Sequence, residues 1–274
     1  MLTRIFQSLR EHSPLVHCIT NYVTVNDCAN MLLACGASPV MADDMREVED
    51  IQSIASALVI NIGTLNPMTV PAMFKAVKKA NDMMHPVVFD PVGAGASKLR
   101  TETALQLLNE SYFSVIRGNI SEIKALALGS GDTQGVDANQ SDIVTADNLE
   151  ATIAFAKNFA SRTDAVIVIT GAIDIVADAH RAFCIYNGDA AMSRITGTGC
   201  QLSALIAAFL AANPEEDFLE VTLAAVCAMG LCGEIAKARL SEQDGNATYR
   251  HYIIDAMYHL QAETLEKGAK YEVR

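Results

Sequence analysis

An α/β fold with a mostly parallel central sheet flanked by helices is predicted, on three observations. Short runs rich in β-branched residues alternate with longer helical patterns as far as Thr170. Those runs are apolar at nearly every position, as strands covered on both faces must be. No internal repeat, low-complexity stretch or linker divides the 274 residues, so residues 1–274 read as a single domain.

The first clear strand is Ala57-Leu58-Val59-Ile60-Asn61-Ile62, stopped by Gly63. Pro86-Val87-Val88-Phe89-Asp90, Phe113-Ser114-Val115-Ile116 and Ala165-Val166-Ile167-Val168-Ile169-Thr170 follow it. Helical patterns over 67–84, 98–109, 121–128 and 145–162 separate these runs, and strand–helix–strand in series makes parallel neighbours. After Thr170 the pattern changes. Ile173–Ala177 and Ala182–Tyr186 form an antiparallel hairpin, with Ala179-His180-Arg181 near its tip. From Cys200 the spacing predicts helices over 200–212, 216–240 and 246–266, the first rich enough in Ala and Leu to be buried.

Composition excludes several classes of function. With 51% hydrophobic and 19% charged residues the chain has enough apolar surface for a sizeable core. No apolar run reaches the roughly 18–20 residues of a membrane span. Charges interrupt the N-terminal MLTRIFQSLREHSP, which therefore lacks a secretory signal's apolar region, and a cytoplasmic location is expected. The seven cysteines are scattered, with no Cys-x-x-Cys pair, and Cys28 and Cys35 share one helical face. Core packing is expected of them, not disulfides or zinc. Glycosylation sequons at Asn119, Asn139 and Asn246 carry no weight without a signal. The net charge of -12 leaves no basic stripe for nucleic acid. An acidic protein that handles a nucleotide needs helix N-termini, a few placed cations or a divalent metal.

In open parallel sheets ligands bind beyond the carboxyl ends of the strands. There the chain places Asn61-Ile62-Gly63-Thr64, then Asp90-Pro91-Val92-Gly93-Ala94-Gly95-Ala96-Ser97, then Arg117-Gly118-Asn119 with Glu122 a turn later, and finally Thr170-Gly171. Any one of these is an ordinary loop. Together they collect small, polar and charged groups at one edge of the sheet. The strongest local signal is Thr196-Gly197-Thr198-Gly199-Cys200 before an apolar helix. Its glycines let N–H groups converge, and a helix N-terminus favours an anion by about 0.3–1 kcal/mol. Taken alone, the turn fits a plain helix cap equally well.

Asp90 at a strand end and Glu122 suit Mg²⁺, directly or through water, although a turn-forming Asp and a first-turn Glu explain them too. Arg117, directly after a buried strand, calls for an anion, and phosphate is the natural one. Gly129-Ser130-Gly131-Asp132 is set aside because it ends a helix and runs into polar loop. A Walker-type loop is absent, and the histidines lack the spacing of a zinc site.

His17-Cys18-Ile19-Thr20-Asn21-Tyr22-Val23, Gly36-Ala37-Ser38-Pro39-Val40-Met41, Asp90-Pro91-Val92-Gly93-Ala94-Gly95-Ala96, Arg117-Gly118-Asn119 and Gly197-Thr198-Gly199-Cys200 occur in this order. Together they resemble the hydroxyethylthiazole kinases of thiamine salvage, over residues 15–240. The first and last motifs are quite specific to that family; the Asp-Pro-Val-Gly turn is shared more widely. The resemblance implies a ribokinase-like fold and transfer of phosphate from ATP, with Mg²⁺, to 4-methyl-5-(2-hydroxyethyl)thiazole. It also implies a homotrimer with active sites between subunits. By motif, Met41 and Gly197 contact the thiazole, Arg117 and Thr170 bind ATP, and Asp90 and Glu122 serve metal and phosphates. Gly197, Thr198, Gly199 and Cys200 form the anion hole. Asn21 and His17 belong to the substrate neighbourhood.

Related sugar kinases carry Asp, as base for the substrate hydroxyl, where Cys200 stands. A thiol is a few per cent thiolate at neutral pH, and a helix N-terminus lowers its pKa further, so Cys200 is expected to assist as a modest base. Three other readings are weighed. A hydroxymethylpyrimidine kinase is opposed by the His17–Val23 motif. An NAD(P)HX dehydratase would carry Asp in place of Cys200. A nucleotide sensor without catalysis would show erosion of Asp90, Arg117 or the Gly197 turn, and all are intact.

Overall fold

The computed structural model describes residues 1–129, 144–145 and 147–274. The set-aside turn beyond Gly129 and the Asn139 sequon lie outside the described residues. A nine-stranded sheet organises the rest. Its parallel part comprises β1 (Leu15–Ile19), β2 (Ser38–Val40), β3 (Ala57–Asn61), β4 (Val87–Asp90), β5 (Val115–Asn119) and β6 (Val166–Thr170), in the order β2-β1-β3-β4-β5-β6. Beyond β6 the sheet continues antiparallel through β7 (Asp174–Ala177), β8 (Ala182–Ile185) and β9 (Tyr271–Val273).

Helices cover both faces. Alternate residues of one strand therefore enter different cores: Ala57 and Val59 join one cluster, Leu58 and Ile60 the other. The second core lies under α3 (Val48–Ile54), α4 (Thr69–Asp82), α5 (Lys98–Glu110), α6 (Ile120–Leu128) and α7 (Leu149–Thr163). The first lies under α1 (Leu2–His12), α2 (Val25–Cys35), α8 (Thr198–Ala212), α9 (Phe218–Arg239), α10 (Asn246–His259) and α11 (Ala262–Gly268).

The predicted parallel α/β architecture and the hairpin are present, and four differences have physical reasons. Arg117-Gly118-Asn119 lies within β5, paired with Val168, Ile169 and Thr170, instead of following it. A charged residue continues this buried strand because Asp90 on the neighbouring β4 neutralises it. Strands β1, β2 and β9 escape sequence reading because one is interrupted by His17 and two are only three residues long. The helix expected over 246–266 is two helices, α10 and α11, broken at Leu260–Gln261. No glycine or proline marks the break. Instead Arg10, far away in sequence, donates through Nη2 to the carbonyls of Met257 at 2.7 Å and Tyr258 at 3.2 Å, satisfying groups a longer helix would have used.

The fourth difference concerns α9: taken whole it is long and apolar enough to cross a membrane, while its unbroken apolar run, bounded by Glu220 and Glu234, stays short of a span as expected. Of its apolar window, 78% is buried within the chain. Helix α8 is likewise core: Leu205, Ile206, Phe209 and Leu210 are fully buried. The packing makes both helices the interior of the first layer.

Two tests follow from local packing. A Cβ at Gly230 of α9 would lie 2.7 Å from Asn187 Cβ and 2.8 Å from its carbonyl carbon. Asn187 cannot yield, being held by Glu234 Oε1 at 3.0 Å, the Gly268 carbonyl at 2.9 Å and the Lys270 N–H at 2.7 Å. Gly230→Ala is expected to cost roughly 1–3 kcal/mol, read from the urea midpoint; an unchanged midpoint contradicts this packing. At the turn between β6 and β7, Asp174 accepts the Gly171 N–H at 2.8 Å, and burial pushes its carboxyl up to about 7. A carboxyl raised above its unfolded value binds more protons when folded. Stability is therefore lost as pH climbs from the unfolded carboxyl range towards 7. Asp174→Asn keeps the acceptor and removes the charge. It should be more stable than the parent at pH 8, with the gain shrinking towards pH 4; a gain independent of pH would contradict the assignment.

Candidate active site

The carboxyl ends of β1, β3, β4, β5 and β6 and the N-terminus of α8 deliver side chains to one place. At its centre is Asp90, fully buried at the end of β4. Its Oδ1 takes Arg117 Nη1 at 3.0 Å, and its Oδ2 takes Asn61 Nδ2 at 2.8 Å and Ser203 Oγ at 2.9 Å. Arg117 is 7% exposed. Burial works against its charge, but Asp90, then Glu122 and Cys200, outweigh it and hold the guanidinium above its ordinary value. Its Nε has no partner. A buried ion pair is costly unless its geometry is good, and the extra donors on Asp90 supply that geometry.

The guanidinium lies directly on the turn before α8. Gly199 has no room for a side chain, since a Cβ would collide with Arg117. Gly197, at the N-cap, adopts φ 95°, and a Cβ there would meet Thr24 Cγ2 at 2.6 Å. Both glycines are thus required by geometry: one for Arg117, one for Thr24. The site brings the N-terminal donors of α8, the glycine turn and a buried cation to one point, which is the chemistry of an anion site.

Cys200, in the first turn of α8, accepts two amide N–H groups at 3.3 Å, from Asn21 and Asn61. These asparagines are joined at 3.1 Å, and Asn21 Oδ1 receives the backbone and hydroxyl donors of Thr24. An unbroken chain therefore links Thr24, Asn21, Asn61 and Asp90 around the sulfur. The expected lowering of the thiol pKa is not found. Burial, and then the negative charge of Asp90, push Cys200 up, against the pull of Thr24, Arg117 and Asn21. The helix end is overridden because a full charge lies nearby in a dry setting, and the group rests as a thiol.

Glu122 caps α6 in a reciprocal box: Asn119 Oδ1 takes the Glu122 N–H at 2.9 Å, and Glu122 Oε2 takes the Asn119 N–H at 2.8 Å. Its other oxygen takes the Gly93 N–H at 2.9 Å, tying down the loop after β4. Burial, then Asp90, raise its pKa. So the helix-cap reading of Glu122 holds, and the residue also belongs to the polar cluster.

Thr170 donates to the Gly118 carbonyl at 3.4 Å. With Arg117, Asn119, Asp174, Thr198 and Gly199 it lines a cavity of about 750 Å³. Leu202, Val226, Met229 and Met192 add apolar side chains to the same lining. Its size and its mix of polar and apolar groups suit a nucleotide. Asn21, Asp90 and Cys200 sit beside this cavity rather than in its wall. Met41, on the loop after β2, is partly buried and packs against the first core.

Three residues of the cluster were missed from sequence: Thr24, just past the His17–Val23 motif, Ser203 and Arg100. Ser203 stands one helical turn after Cys200, a spacing that could have revealed it. Arg100 carried no signal. Reaching back from α5, its Nη2 donates to the Gly63 carbonyl at 2.6 Å, while its other nitrogen fills the space a side chain at Gly93 would need.

A model of the Hydroxyethylthiazole kinase family matches residues 6–263. The chain is 59% identical over 272 residues to a hydroxyethylthiazole kinase of Clostridium acetobutylicum, covering 99% of each. It superposes on the structure of a hydroxyethylthiazole kinase protein from Pyrococcus horikoshii OT3 with a TM-score of 0.87 and 35% identity, covering 100% of this chain and 98% of that one. A ribokinase-like superfamily protein of Enterococcus faecalis V583 matches with a TM-score of 0.58 and 15% identity, covering 92% of this chain and 93% of that one, which shows the fold alone. On motif order, fold and full-length identity together, the chain belongs to the hydroxyethylthiazole kinase family.

Proposed function

We propose that this enzyme transfers the terminal phosphoryl group of ATP to the hydroxyl of 4-methyl-5-(2-hydroxyethyl)thiazole, giving ADP and the thiazole phosphate for thiamine salvage. The observation that carries this reading is the convergence of Arg117, Asp90 and Cys200 on the Gly197–Gly199 turn. Residues 1–274 act as one domain in this reading, within a cytoplasmic homotrimer whose sites lie between subunits.

ATP occupies the 750 Å³ cavity, its base towards Met192 and Met229 and its phosphates towards Arg117, Thr170 and the α8 turn. Phosphoryl transfer through a loose transition state depends chiefly on positioning and on charge stabilisation. Arg117 exchanges part of its contact with Asp90 for phosphate oxygens, and its unpartnered Nε is a ready donor. The N–H groups of Gly197 to Cys200 form the anion hole. The thiazole lies on the side of Asn21, Gly197 and Met41, with its hydroxyl beside Cys200. There the sulfur positions the hydroxyl, and only its small thiolate fraction takes the hydroxyl proton as the new P–O bond forms, releasing it to solvent afterwards; the raised pKa keeps that fraction small.

Mg²⁺ supplies charge neutralisation on the ATP phosphates when bound. Among the described residues no cluster of three or more His, Cys, Asp or Glu stands ready for a metal. Glu122 and Asp90 do fit a hydrated ion. The two carboxylates raise each other's local negative potential, and each Glu122 oxygen accepts a single backbone donor, leaving a lone pair for bound water. Asp90 is shielded by three donors and would meet such an ion only through water.

An ADP-release assay with Mg²⁺ and ATP tests the reading. Turnover is expected with hydroxyethylthiazole and far less with hydroxymethylpyrimidine; the reverse preference would overturn it. Under the same conditions Cys200→Ala should lose less than the roughly 10²–10⁴-fold of a full general base, leaving clear activity. Gly199→Ala should lose more, because its methyl displaces Arg117. A dead Cys200→Ala enzyme beside a healthy Gly199→Ala enzyme would contradict the assigned roles.

A further inference from the structure

His17 lies outside the chemistry described above and is fully buried in β1. Its Nε2 stands 2.8 Å from the Ala42 carbonyl, in the loop just after β2. Its Nδ1 stands 3.0 Å from the side-chain amide of Gln52, a fully buried residue of α3. That amide in turn stands 3.1 Å from Nδ1 of His85, on the turn between α4 and β4. Three buried or half-buried side chains therefore form one line that ends on a single backbone carbonyl. That carbonyl belongs to the residue after Met41.

We propose that His17 is a positioning residue for the thiazole site: its Nε2–H, held on the Ala42 carbonyl, fixes the backbone that presents Met41. The inference rests on the thiazole reading of Met41. Proton accounting along the line supports it. A carbonyl can only accept, so Nε2 must carry a proton. With Gln52 Oε1 toward His17, Nδ1 must carry one as well, and the ring is a buried cation. Burial disfavours that charge and lowers the pKa of His17, against the help of Ala42 and Gln52. The neutral ring instead offers a lone pair at Nδ1. It is satisfied when the Gln52 amide is turned round, its nitrogen donating to His17 and its oxygen accepting from His85 Nδ1–H. Every contact in the line then pairs one donor with one acceptor, and both histidine tautomers are set. His17 cannot tip without breaking two bonds in the interior, so the Ala42 carbonyl is held in place by residues from β1, α3 and the α4–β4 turn.

Two substitutions separate the halves of the ring. Glutamine places its amide nitrogen near the imidazole Nε2 and keeps a donor for Ala42. Asparagine places its nitrogen near Nδ1, meets Gln52 and abandons Ala42. His17→Asn is expected to raise KM for hydroxyethylthiazole about tenfold, the loss from one unpaired buried carbonyl, with KM for ATP and kcat within about twofold. His17→Gln should stay within about threefold of the parent in all three. Equal thiazole KM values for the two variants, or an ATP KM that rises as much as the thiazole KM, would overturn the proposal. Nitrogen-15 NMR of the unaltered protein tests the geometry without any variant: a neutral His17 protonated at Nε2 supports it, and protonation at Nδ1 alone overturns it. If the unaltered enzyme releases no ADP with hydroxyethylthiazole, the substrate reading fails, while the NMR result still decides whether His17 holds Ala42.

Discussion

The buried pair of Asp90 and Arg117 is the interaction on which the rest of the structure depends. It joins β4 to β5 inside the sheet, draws Asn61 and Ser203 onto the carboxylate, and lays the guanidinium against Gly199. Removing either partner would strand a charge in a dry interior, a loss of about 3–5 kcal/mol in comparable cases. Such a pair is a poor device for stability alone, since apolar residues of equal volume serve as well or better. Its worth here is that it stores a positive charge at the entrance to a helix N-terminus, in a chain whose net charge is -12. An anion reaching this point meets a cation whose own partner is already fixed.

Around that pair the site divides by chemistry. On one side lies the cavity lined by Arg117 and Thr170 together with Val226 and Met229. On the other, amide groups of Asn21 and Asn61 enclose the Cys200 sulfur. The same carboxylate acts on both: it raises the pKa of Glu122 and of Cys200 while holding up that of Arg117. The thiol is therefore no ready-made base. It is an electron-rich atom held in place by two donors, which agrees with a reaction governed by alignment more than by proton abstraction.

Much of the fold was legible in the sequence because strands buried on both faces leave unbroken apolar runs. Strands β3, β4 and β6 announce themselves in this way, and the β7–β8 hairpin does so by its change of rhythm. What stayed hidden depends on distant contacts. The break between α10 and α11 is made by Arg10, and β5 extends through Arg117 because Asp90 lies beside it. The site shows the same division. Asp90, Arg117 and Thr170 could be read from their places at strand ends, and the Gly197–Cys200 turn from its place before an apolar helix. Ser203 and Arg100 reach the cluster through helix geometry and side-chain length, which no short motif encodes. The environment of Cys200 was misjudged because the helix end is visible in sequence while the neighbouring carboxylate is not.

The central claim is that Arg117 and the turn before α8 form the phosphate site, with Asp90 holding the cation ready. A crystal structure with hydroxyethylthiazole and a non-hydrolysable ATP analogue tests it most directly. The account predicts the terminal phosphate at the N–H groups of Gly197 to Cys200, with a guanidinium nitrogen of Arg117 on it and the thiazole hydroxyl facing it beside Cys200. A nucleotide whose phosphates lie at another turn, with Arg117 still bound to Asp90 alone, would contradict it.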